Sequence, residues 1–155
     1  MATSLDAPCW LVKSEAKKAS QLQAIPKEWR LPLDFDKDKT NVTDLPAKSD
    51  ILSALDLQIT EIDDVDQLLA HIREGIFSAL EVTTAYLKRA LLAHQLVSES
   101  GFRCATELTA QVNCLTEFWI DDALAQAVEL DRVFQEGRLA GPLHGLPISL
   151  KDQWV

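Results

Sequence analysis

Glycine is scarce in this chain, with five in 155 residues at positions 75, 101, 137, 141 and 145, and no two are adjacent. No stretch therefore reads as a glycine-rich loop presenting successive backbone N–H groups. Cysteine is limited to Cys9, Cys104 and Cys114, an odd number with no C-x-x-C pair, which reads as reduced thiols in a cytosolic protein. His71, His94 and His144 lie too far apart, from each other and from cysteine, to carry zinc-ligand spacing, so neither metal nor cofactor is expected. Basic charge is also short. Fifteen Lys and Arg against 24 Asp and Glu give a net charge of −9, without the basic face that nucleic acid or an anionic membrane surface requires. No run of eighteen apolar residues exists to span a bilayer, and Met1 to Lys18 lacks the apolar core of a secretory signal, so the expected location is cytoplasmic. Asn41-Val42-Thr43 fits a glycosylation sequon, but with no such signal it reads as a loop tripeptide.

What is present is 47% hydrophobic residues in helical patterns. Trp10, Ala16, Ala19 and Leu22 recur at helical spacing and predict a helix over 9–24 that stops before Pro26, because the residue ahead of proline avoids helical geometry. Pro26, Pro32 and Pro46 among many charges mark 26–50 as an extended arm, so 1–50 divides from a domain over 51–155. A short helical or extended piece is expected over 51–59. Val65, Leu68, Leu69 and Ile72 fall at i, i+3, i+4 and i+7, with Asp63 or Asp64 as N-cap and Gly75 just past the end. Ser78-Ala-Leu-Glu81 is a capping box opening a helix to about Gln95, with Val82, Tyr86 and Ala90 inward and Leu87 and Leu91 flanking. A last helix runs from Asp121 or Asp122 to Glu136, with Ala123, Ala127, Leu130 and Phe134 inward and Gly137 at its end. Leu146 to Leu150 then reads as a buried β-strand, giving a mostly α-helical chain with one terminal strand.

Lys151 stands where that apolar run ends, and burying an ammonium is costly unless it is paired or loses its proton. From the strand pattern alone, a solvated lysine at a strand end is the plainer reading. The whole segment, Gly141-Pro-Leu-His-Gly-Leu-Pro-Ile-Ser-Leu-Lys151-Asp152, closely resembles the lysine strand of amidase-signature hydrolases. Ile25 to Leu31, Ala93 to Leu96, Val112 to Glu117 and the 121–136 helix with Glu129-Leu-Asp131 resemble fungal acetamidase-like members. The resemblance implies an α/β amidase-signature fold for the full-length family, and hydrolysis of small carboxamides to carboxylic acid and ammonia by a Ser-cisSer-Lys mechanism. It makes Lys151 the base, His144 a turn residue and Asp152 a support for the following loop. Homo-oligomers are compatible with the family.

Two departures qualify that implication. The family's two serines belong in a Gly/Ser-rich stretch downstream of the lysine, and none of the serines at 4, 14, 20, 49, 53, 78, 98, 100 and 149 sits in one. Ser149 is only two residues from Lys151. The sequence thus reads as an N-terminal, truncated piece of an amidase domain, inactive by itself, with pocket residues expected downstream. Second, Ser98 to Gln111 reads as an insertion, either a surface loop or an in-frame retained intron. A strand without neighbours would leave this chain poorly soluble or loosely packed. Two other readings stand beside the amidase: a tRNA-dependent amidotransferase A-type subunit, and a non-catalytic helical interaction module built on Leu68, Leu69, Tyr86 and Phe134.

Overall fold

The computed structural model describes residues 9–31, 43–99, 115 and 117–150. Helices α1 (Cys9–Ala24), α2 (Leu45–Lys48), α3 (Ala54–Thr60), α4 (Val65–Arg73), α5 (Ala79–Glu99) and α6 (Ile120–Gln135) follow in order, with a 3-10 turn at Lys27–Trp29. The first helix ends two residues before Pro26, as the sequence predicts. The 51–59 piece is helical from Ala54, where Ser53 and Asp56 form a capping box: the Asp56 N–H donates to Ser53 Oγ at 3.1 Å and the Ser53 N–H to Asp56 Oδ2 at 2.8 Å. Asp64 caps α4, and Gly75, at φ +72°, ends it by letting the Ile76 N–H reach His71 O at 2.9 Å. Gly137 closes α6 the same way, at φ +76°. That helix begins at Ile120, one residue before its expected acidic start, so Asp121 and Asp122 occupy its first turn rather than its cap.

Helix α5 is the axis of the molecule, packed against α3, α6 and the Lys27–Trp29 turn. Its deepest residues are Val82, Ala85, Leu91 and Leu92, whereas Tyr86, Leu87 and Ala90 are half-buried. A single stripe of Val82, Tyr86 and Ala90 underestimates a helix that has neighbours on several sides. Three apolar clusters surround it. Ile59, Leu68, Ile72, Phe77, Val82 and Ala85 form the first, with Leu146 packed on its edge. Leu45, Ile51, Leu52 and Leu92 form the second, joined by Trp29 and Leu31. Ile25, Leu91 and Ile120 form the third, with Phe118 and Leu124. Gln95 ties the 29–31 segment to α5 by accepting the Leu31 N–H and donating to Trp29 O, both at 2.9 Å.

The expected terminal strand is not formed among the described residues. Leu146 to Leu150 pairs with no ladder, and Ile148 and Leu150 are 65% and 75% exposed. A strand is made by a partner's backbone, and none of the described segments supplies one. The insertion at 98–111 lies almost wholly outside the described residues, with only 98 and 99 inside, on the end of α5.

Candidate active-site segment

The turn that leads to the lysine is held at four points. Arg73, the last residue of α4, donates from Nη2 to Pro142 O at 2.6 Å. The His144 N–H reaches Gly141 O at 3.2 Å and the Leu146 N–H reaches Leu143 O at 3.1 Å, folding 141–146 onto itself. His144 is buried, accepts the Ala140 N–H on Nδ1 at 3.1 Å, and lies 6.1 Å from the Phe134 ring. Through that bond to the Ala140 N–H the imidazole closes a turn, in agreement with the sequence reading. Gly145 sits at φ +78° with no room for a side chain: an added Cβ would lie 3.0 Å from Ile72 Cγ2 and 3.1 Å from Ala79 Cβ.

The floor beneath that turn is fixed by Asp131. Its carboxylate reaches from α6 to the open N-terminus of α5, accepting the Ala79 N–H at 2.6 Å and the Leu80 N–H at 3.1 Å. The Ser78–Glu81 capping box satisfies the neighbouring donors, with the Ser78 N–H on Glu81 Oε2 at 2.8 Å and the Glu81 N–H on Ser78 Oγ at 3.1 Å. Charge-assisted bonds of this kind suit the positive end of the helix dipole. They lock α6 onto α5 where Gly145 rests.

Lys151 and Asp152 lie outside the described residues, so the side chain that the sequence singles out has no geometry here. The six residues before Lys151 do. From Leu146, which packs on the first cluster, the chain leaves the body toward Leu150. A recess of about 290 Å³ lies against the turn, lined by Leu130, Ala140, Gly141, Pro142, Leu143 and His144, with no charged group. Among the described residues, no three of His, Cys, Asp and Glu gather as metal ligands. No helix there is long and apolar enough to cross a membrane.

Two buried titratable groups lie away from this segment. Burial pushes the Asp56 carboxyl up, but the Lys88 ammonium at 2.7 Å and the Ser53 N–H and hydroxyl outweigh it and hold the group below the usual carboxylate value. Burial pushes His94 below its ordinary 6.5, and among the described residues its Nδ1 finds no hydrogen-bond partner beside the edge-on Phe118 ring. Arg73 and Asp131 escape sequence reasoning. A cation ending a helix and an acid inside one each have a local explanation, and nothing local shows a partner 69 or 52 residues away.

Residues 95–155 match the amidase family model. The chain is 40% identical over 148 residues to an acetamidase of Aspergillus oryzae and 41% identical over 145 residues to one of Emericella nidulans. Each match covers 93% of this chain and 23% of the relative. A solved structure of a fatty acid amide hydrolase superposes with a TM-score of 0.73 at 34% identity, covering 93% of this chain and 24% of that one. The chain thus spans about a quarter of the length of the proteins it matches. The amidase family match covers the turn and lysine segment, and the resemblance to these amidases continues upstream through the helices that buttress it.

Proposed function

We propose that this chain provides the lysine-bearing part of a hydrolase of small carboxamides, with Lys151 as the base. The observation that carries the reading is the segment 141–152, which lies inside the family match and springs from a turn clamped by α4, α5 and α6. A lysine with an ordinary pKa near ~10.4 is no base at neutral pH, so it has to be desolvated until it loses its proton. Ile148 and Leu150 beside it, with no acid in the run, suit that environment once the segment is covered. The neutral amine then accepts, through a relay serine, the proton of the serine that attacks the amide carbonyl. The ammonium so formed returns that proton to the amide nitrogen, ammonia leaves, and water, losing its proton to the same amine, releases the carboxylic acid from the acyl-enzyme.

Neither serine has a counterpart among these 155 residues, so the chain on its own lacks the nucleophile and turns over no amide. The names of the relatives, acetamidases among them, favour a free carboxamide over the glutamine of a tRNA-dependent amidotransferase. The experiment is ammonia release from acetamide by the 155-residue chain beside a Lys151→Ala control. The two are expected to be equal and at background. Turnover above the control would show that these residues contain a nucleophile and overturn the reading.

A further inference from the structure

We draw no further inference here: the strongest candidate, the apolar recess of the 140–144 turn with the exposed Leu143 in its lining, belongs to the segment already described, and nothing in the structure shows what covers it.

Discussion

Asp56 and His94 are both buried, yet acid reaches them by different routes. Asp56 has its folded pKa held below the ordinary value of 3.8, so its stabilising contribution is complete above that value and is lost as pH falls through the lower, folded one. His94 is a base whose folded pKa lies below 6.5, so the fold prefers it uncharged. Its penalty sets in as pH falls below 6.5, where the unfolded chain takes up a proton and the folded chain does not. The melting temperature is therefore expected to decline between pH 7 and pH 5, and His94→Gln should flatten that decline without altering the loss below pH 4. Identical pH profiles for the two proteins would remove His94 from the account. Breaking the Lys88–Asp56 pair from one side, by Lys88→Met, leaves a buried carboxylate and should cost about 3 kcal/mol in chemical denaturation, with Asp56→Leu in addition recovering part of it. At this scale the local devices were legible: Ser78 with Glu81, Asp63 or Asp64 ahead of α4, and glycines 75 and 137 behind their helices. Asp131 was not, because it caps a helix that starts 52 residues earlier, and a cap supplied across space leaves no spacing in the sequence.

Among the elements, α4 and α6 were legible from periodicity because each presents one apolar face to the body. Helix α5 was legible in its start, but it runs to Glu99 rather than Gln95, and its inner face was not legible, since burial on several sides erases a single stripe. The Leu146–Leu150 run carries the composition of a buried strand, and composition records what an element requires, not whether its partner is at hand. The junction of α5, α6 and the turn is where the elements depend on one another. Asp131→Ala removes two bonds to the α5 N-terminus and should lower stability by about 1–2 kcal/mol, read as a drop of several degrees in melting temperature. Gly145→Ala forces a methyl group against Ile72 and Ala79 at a positive φ and should cost at least as much. A Gly145→Ala chain as stable as the parent would mean that the turn is free to move off α5.

For the molecule as a whole, the apolar side chains of Ile148 and Leu150 project from a segment with no ladder, while the three clusters around α5 are already closed. Exposed, unpaired apolar backbone of this kind invites association between chains. Ile148→Thr with Leu150→Thr is thus expected to raise the soluble fraction on expression without lowering the melting temperature, and a loss of stability in that variant would show that the segment is part of the folded body. Under the proposed function the same two residues would form the desolvating wall of Lys151. The family was legible because segment 141–152 combines turn, strand and lysine in one short stretch. Substrate and nucleophile were not, because no serine of this sequence stands in the Gly/Ser-rich setting that the resemblance leads one to expect. The central claim is that this chain brings the base and no nucleophile. The direct measurement is ammonia release from acetamide by the chain joined to the part of the Aspergillus oryzae acetamidase that it does not cover, with and without Lys151→Ala. The account predicts turnover that falls by three orders of magnitude or more, roughly, when Lys151 is replaced. Turnover indifferent to Lys151 would contradict it.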